Sequence, residues 1–238
     1  MYRQLSPTHI TETTALLRKR VEERFPTAGL TKVAEDLERL TIEAGSVSLQ
    51  LGKPNYVIRA AAGVCILAML TLLVIGIMRV RIDDGLGNAS DFAQGIEATV
   101  NNFVFVSVAI YFLATLEVRL KRRRALTELH ALRSMAHIID MHQLTKDPER
   151  SSRAKVANTA SSPQHPMTPF ELQRYLDYCS EMLAIIGKVA ALYIQHFGDS
   201  VTVSVANDIE TLTAHLSGNV WQKILAIDLP AAPSGGDD

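Results

Sequence analysis

Two long runs of uncharged residues stand out from the polar and charged pattern of the chain. Residues 60–78 read AAAGVCILAMLTLLVIGIM and residues 98–116 read ATVNNFVFVSVAIYFLATL. Each run has nineteen residues, and a helix needs roughly 20 apolar residues to cross a bilayer. The second run is rich in β-branched and aromatic residues, but strands rarely exceed about ten residues. The pattern predicts transmembrane helices over 54–80 and 98–118, joined by a short extracytoplasmic loop over 81–97.

The flanks of the two runs differ in charge, and this difference predicts the orientation. Lys53 and Arg59 precede the first run, and Arg119 and the sequence KRRR at 121–124 follow the second. The loop between the runs carries two arginines beside three aspartates and one glutamate. Because basic residues accumulate on the cytoplasmic side, both termini are expected in the cytoplasm. We expect a multi-pass protein of the plasma membrane, which is the inner membrane if the source is bacterial.

Amphipathic helices are predicted for residues 1–53. A first helical face ends near a break at 26–29. Beyond the break, apolar residues recur at spacings of three and four, which is the heptad pattern of a coiled coil. This seam comprises Leu30, Val33, Leu37, Leu40, Ala44, Val47 and Leu51. Two interpretations stay open: the seam mediates association with another helix or copy, or it packs on its own chain.

The remainder of the chain is also predicted to be helical. The helix of the second run continues through 119–146 with an apolar stripe, and a linker rich in Ser, Pro and charge follows over 147–167. Thr168-Pro169-Phe170-Glu171 has the sequence of a capping box, and it begins a cytoplasmic helical hairpin over 168–227. Gly198 is expected to end the first helix of that hairpin. The tail over 228–238 has a composition typical of disorder.

The fold class that follows is an all-α membrane protein. It combines a two-span transmembrane helical hairpin with N-terminal amphipathic helices and a C-terminal cytoplasmic helical hairpin. The formal net charge of −1 gives no overall attraction to nucleic acid, so nucleic acid is not an expected partner. The bilayer, a helical protein partner or further copies of the chain are the expected ones.

Few residues suggest chemistry. His137, Asp140 and His142 are candidate metal ligands on the helix that follows the second run. His137 and Asp140 are three residues apart and can share one helical face, but two ligands do not make a tight site. If several copies form a pore, its polar lining is expected from Asn101, Asn102, Ser107 and Thr115. No cofactor is expected, because the sequence contains no phosphate-binding, hydrolase or zinc-protease motif.

Three functions are compatible with these patterns. A non-enzymatic membrane protein that acts through oligomerisation and partner binding by its cytoplasmic helices, as an assembly, scaffold or regulatory factor, is favoured by the heptads and the linker. An oligomeric two-span pore or ion channel is the first alternative. A membrane-bound metal-dependent enzyme or sensor at His137 and Asp140 is the second, so enzymatic activity stays open, with a non-enzymatic role favoured.

Overall fold

The computed structural model describes residues 4–83, 89–146 and 167–228. Within these ranges the regular structure is entirely α-helical, which confirms the predicted all-α class. The helices are α1 (Pro7–Arg24), α2 (Gly29–Gly52), α3 (Tyr56–Asp83), α4 (Ala89–Leu144), α5 (Pro169–Gln195) and α6 (Ser200–Asp228). The predicted linker and tail lie outside the described residues except for Met167 and Asp228, as do residues 84–88 of the predicted loop.

The chain divides into two compact units. The first, here the bundle unit, comprises Met1–Gly52 and Arg124–Asp238, and the second, here the apolar unit, comprises Lys53–Arg123. Helix α4 is continuous through its 56 residues and contributes to both units. Each unit is described by itself below.

Helices α1 and α2 of the bundle unit form an antiparallel pair. Arg18 of α1 forms an ion pair with Glu38 of α2 at 2.6 Å, and Pro7 lies beside Gly45 near the opposite end. The connection turns within residues 25–28, where Thr31 Oγ1 donates to the carbonyl of Phe25 at 2.7 Å. This buried hydroxyl satisfies a carbonyl that the end of α1 leaves without a helical partner.

The predicted heptad seam of α2 is buried within its own chain. Leu30, Val33, Leu37, Ala44, Val47 and Leu51 are buried, and Leu40 is partly buried. Helix α2 packs against α1 and α5. Of the two interpretations, the structure therefore supports the one in which the seam packs on its own chain, because its apolar side chains are already covered.

The bundle core is completed by the end of α4 and by α5 and α6. The apolar stripe of α4 (Leu129, Leu132, Ala136 and Ile139) is buried, as predicted. Phe25 packs edge-on against Tyr175 and Tyr178 of α5, with ring centroids 5.5 and 6.3 Å apart. Burial of this apolar surface supplies the main driving force for folding the unit.

The predicted start of α5 is confirmed and its predicted end is wrong. Thr168 and Glu171 form a complete capping box, and Pro169 is the first helical residue. The helix ends at Gln195 with His196 as C-cap, and Gly198 has no positive φ. Asp199 instead accepts a hydrogen bond from the N–H of Thr202 at 3.2 Å, so a polar N-cap begins α6 without a left-handed glycine.

Helices α3 and α4 include two segments that are long and apolar enough to cross a membrane. In the most apolar stretch of α3, 0% of the residues are buried, and in that of α4, 6% are buried. Core helices of soluble proteins can be equally long and apolar, but their apolar residues are mostly buried. The apolar residues of these two segments are mostly exposed. Helix α3 extends to Asp83, and helix α4 begins at Ala89. Both ends of the predicted loop over 81–97 are therefore helical.

Candidate functional site

Glu117 is the centre of a polar cluster that joins α3 to α4 within the apolar unit. The Arg59 Nε donates to Glu117 Oε2 at 2.6 Å, and the N–H of Asn55 donates to Oε1 at 2.9 Å. Lys121 Nζ forms an ion pair with Oε1 at 2.9 Å and also donates to the carbonyl of Lys53 at 2.7 Å. A single carboxylate thus connects the start of α3 with two successive turns of α4.

Sequence reasoning missed this cluster. Glu117 is 8% exposed, and it is the first charged residue after the second uncharged run, followed by five cations within seven positions. One acidic residue among so many basic ones was the available signal, because a carboxylate in that setting is expected to pair. From the sequence, the basic run predicts only the orientation of the spans.

Two threonine hydroxyl groups of α3 and α4 are satisfied on their own helices. Thr71 Oγ1 donates to the carbonyl of Leu67 at 2.9 Å. Thr115 Oγ1 donates to the carbonyls of Tyr111 and Phe112 at 2.9 and 3.2 Å. Such bonding back to the preceding turn allows a hydroxyl to lie in an apolar environment without an unpaired donor.

The candidate pore residues do not form one cluster. Asn101 and Asn102 are exposed, and neither forms a hydrogen bond with another described residue. Ser107 is exposed, whereas the Thr115 hydroxyl is taken up by its own helix. Of the four candidate residues, Asn101, Asn102 and Ser107 are therefore exposed, and no hydrogen bond joins them to the part of the chain that the structure describes.

The candidate metal ligands lie on α4 in different surroundings. His137 is exposed, and Asp140 Oδ1 accepts from Gln143 Nε2 at 2.6 Å. His142 is partly buried, and its ring lies against Gly29, where an added Cβ would be 2.7 Å from Cε1. In the part of the chain that the structure describes, no three His, Cys, Asp or Glu side chains are placed to hold a metal ion.

A buried polar cluster at the end of α4 was also missed from the sequence. Lys146 is 9% exposed, and its ammonium lies 4.9 Å from the centroid of the Tyr175 ring. Burial lowers the pKa of Lys146. The carbonyl of Gln143 accepts from Lys223 Nζ of α6 at 2.9 Å, so two cations lie at the carboxyl end of a long helix, where its dipole favours positive charge.

The same region contains a buried thiol. Cys179 of α5 is fully buried, and burial raises its pKa to about 12. The thiolate is the reactive form of cysteine, so this side chain is held in an unreactive form. Cys65 of α3 is exposed in contrast. The two cysteines therefore differ in accessibility, which makes them usable as chemical probes of the two units.

Comparisons of the chain with family models, with curated proteins and with solved structures found no match.

Proposed function

We propose that this chain is a non-enzymatic integral membrane protein that holds a helical bundle at the cytoplasmic face of a membrane. In this role, α3 and the first part of α4 form a two-span hairpin, and the bundle unit acts through oligomerisation and binding of helical protein partners. It would serve as an assembly, scaffold or regulatory factor of the plasma membrane, or of the inner membrane in a bacterium.

The observation that carries this proposal is the exposure of large apolar side chains along the uncharged segments of α3 and α4. Val64 and Leu67 of α3 are 68% and 67% exposed, and Phe105 of α4 is 73% exposed. Soluble monomers rarely expose contiguous apolar patches larger than a few hundred Å². A lipid environment covers such a surface and leaves both helices with satisfied backbone groups.

The Glu117 cluster supports the hairpin arrangement. It joins residues 53–59 to residues 117–121, which are the cytoplasmic ends of both proposed spans. In that position the cations extend to the headgroups, while their shared carboxylate holds the two helices together. Arg119 adds a cation–π contact with Phe112 at 4.8 Å, which is a favourable arrangement at a membrane interface.

Reactivity of Cys65 tests membrane insertion directly. In intact membranes, a water-soluble maleimide should leave Cys65 unmodified, because its thiol would lie within the hydrocarbon core. After solubilisation in denaturant, both cysteines should react. Rapid modification of Cys65 in native membranes would contradict the proposal.

The orientation needs a matched pair of introduced cysteines in a Cys65→Ala background. Ser134→Cys lies on the exposed surface of the bundle unit, and Ser90→Cys lies in the predicted extracytoplasmic loop region. In inverted vesicles, the maleimide should label the first and spare the second, and right-side-out vesicles should give the reverse. The opposite pattern would place the termini outside the cytoplasm.

A pore is the second candidate function, and the exposed asparagines favour it. Amide groups within a span seek a hydrogen-bonding partner on another helix or in water. Asn101→Leu should abolish ion flux through reconstituted liposomes if several copies line a conduit. Absence of flux from a folded oligomer of the unchanged chain would eliminate this candidate.

A further inference from the structure

We propose that the groove between α5 and α6 is a self-association surface, which pairs with the same groove of a second copy of the chain. The pairing would follow a two-fold axis that runs along the groove, parallel to the two helices. This inference rests on the oligomerisation proposed above, and it specifies the surface and the partner.

The groove lies on the outside of the C-terminal hairpin and encloses about 410 Å³. Its walls carry small side chains, among them Ala184, Gly187 and Ala191 of α5 and Ala214 and Ser217 of α6. Gly187 accommodates the close approach of the two helices, because an added Cβ would lie 3.1 Å from Thr213 Oγ1, which is a tight contact. Small walls permit close approach of a further helix as well.

The groove carries one positive and one negative side chain, so two copies of it can be complementary in charge. Lys188 on the α5 side donates to the carbonyl of Ala184 at 3.3 Å. Glu210 lines the α6 side, and neither residue forms an ion pair with another described residue. One cation and one carboxylate that have no ion-pair partner within the described ranges therefore face the same groove from opposite walls.

The positions of Lys188 and Glu210 along the helix axes favour a two-fold axis parallel to the helices. Because Gly187 lies beside Thr213 and the helices are antiparallel, Glu210 stands near position 190 of α5. Lys188 and Glu210 are then offset by about 3 Å along the helix direction. A two-fold axis parallel to the helices places each Lys188 opposite the Glu210 of the second copy, as an isologous interface requires.

An apolar extension of the groove supplies contact area beyond the ion pairs. Trp221 and Leu225 follow Ser217 at spacings of four residues, so all three lie on the same face of α6. They are 57% and 50% exposed. Aromatic residues at such positions are the usual energetic centres of protein interfaces. Trp221 is also the only tryptophan of the chain, so its fluorescence reports on this surface alone.

Charge reversal tests the pairing in the full chain reconstituted in detergent micelles. Sedimentation equilibrium would measure the dissociation constant of the oligomer for the unchanged chain, Lys188→Glu, Glu210→Lys and the double variant. Each single reversal should weaken association about tenfold, because like charges then oppose each other twice in the interface. The double variant should recover association to within a few-fold. Lys32→Glu and Glu35→Lys, both on the exposed surface of α2, are the matched controls and should have no effect.

Trp221 fluorescence provides a second measurement on the same samples. Its emission should shift to shorter wavelength as the unchanged chain associates, and the single variants should require higher concentrations for the same shift. If the chain oligomerises but no reversal changes the dissociation constant, the groove is not the interface and only this inference fails. If single reversals weaken association and the double variant does not restore it, the two-fold pairing is wrong. If the unchanged chain is monomeric at all concentrations, the proposed oligomerisation fails together with this inference.

Discussion

Gly52, the last residue of α2, lies directly against His196, the C-cap residue of α5. A Cβ added at Gly52 would stand 2.9 Å from His196 Cβ and 3.7 Å from its carbonyl oxygen. Because the nearest of these atoms is attached to the backbone of His196, it cannot move away by a rotation of the side chain. Glycine at position 52 therefore permits the ends of α2 and α5 to meet.

We expect Gly52→Ala to destabilise the bundle unit by about 1–3 kcal/mol, which is the usual consequence of overpacking. Gly218→Ala is the matched control, since it lies within α6 with no atom within 4 Å of the added Cβ. That change should stabilise the helix by about 0.5–1 kcal/mol. Thermal unfolding followed by circular dichroism would measure both. A Gly52→Ala protein as stable as the unchanged chain would show that α2 and α5 are less closely packed than described.

The Glu117 cluster makes a second prediction, about the order of two variants. Glu117→Ala removes the common acceptor of Asn55, Arg59 and Lys121, whereas Lys121→Ala removes one donor and leaves the other two contacts intact. The first variant should therefore lower the unfolding temperature more than the second. Thermal unfolding in nanodiscs would measure the difference. Equal stability of the two variants would mean that the carboxylate does not connect α3 to α4.

The N-terminal cap of α5 makes a third prediction. Thr168 Oγ1 accepts from the N–H of Glu171 at 3.2 Å, and the Glu171 carboxylate accepts from the N–H of Thr168 at 2.8 Å. Thr168→Ala should destabilise the bundle unit by about 1 kcal/mol, and Thr168→Ser should retain most of the stability. Thr211→Ala, at an exposed position within α6, should leave stability nearly unchanged. Chemical denaturation would measure the free energy of unfolding of each variant. If Thr211→Ala lowered it as much as Thr168→Ala, the effect at Thr168 would not be specific to the helix cap.

The cap was predictable from sequence because its signal is local. Thr168, Pro169 and Glu171 occupy fixed positions relative to each other, and the hydrogen bonds follow from that spacing. The buried stripe of α4 was predictable for a similar reason, because helical periodicity requires no knowledge of the partner. The apolar runs of α3 and α4 are recognisable by length alone.

The features that sequence reasoning missed depend on contacts between distant segments. Glu117 and Arg59 are 58 residues apart, and no local pattern links them. The role of Gly52 depends on His196, and the burial of Lys146 depends on Tyr175 of another helix. Gly198 was wrongly predicted to end α5 because the rule for a C-terminal glycine is statistical. The helix ends three residues earlier, and Asp199 provides a polar start for α6.

The pH dependence of the bundle unit provides the final prediction, and it concerns His142. Burial lowers the pKa of His142 below its ordinary value of 6.5, and the neighbouring charge of Lys146 lowers it further. The unfolded chain therefore binds a proton at this position before the folded chain does. Stability is then highest above pH 6.5 and is lost as the pH falls from 6.5 towards the lower folded pKa.

Chemical denaturation at pH 7.5 and 5.5 would measure this loss. His142→Gln should reduce the difference in stability between the two pH values, because its side chain does not titrate. His215→Gln, at an exposed position on α6, controls for the loss of a histidine and should retain the difference of the unchanged chain. An unchanged pH dependence in His142→Gln would show that protonation of this side chain does not oppose folding.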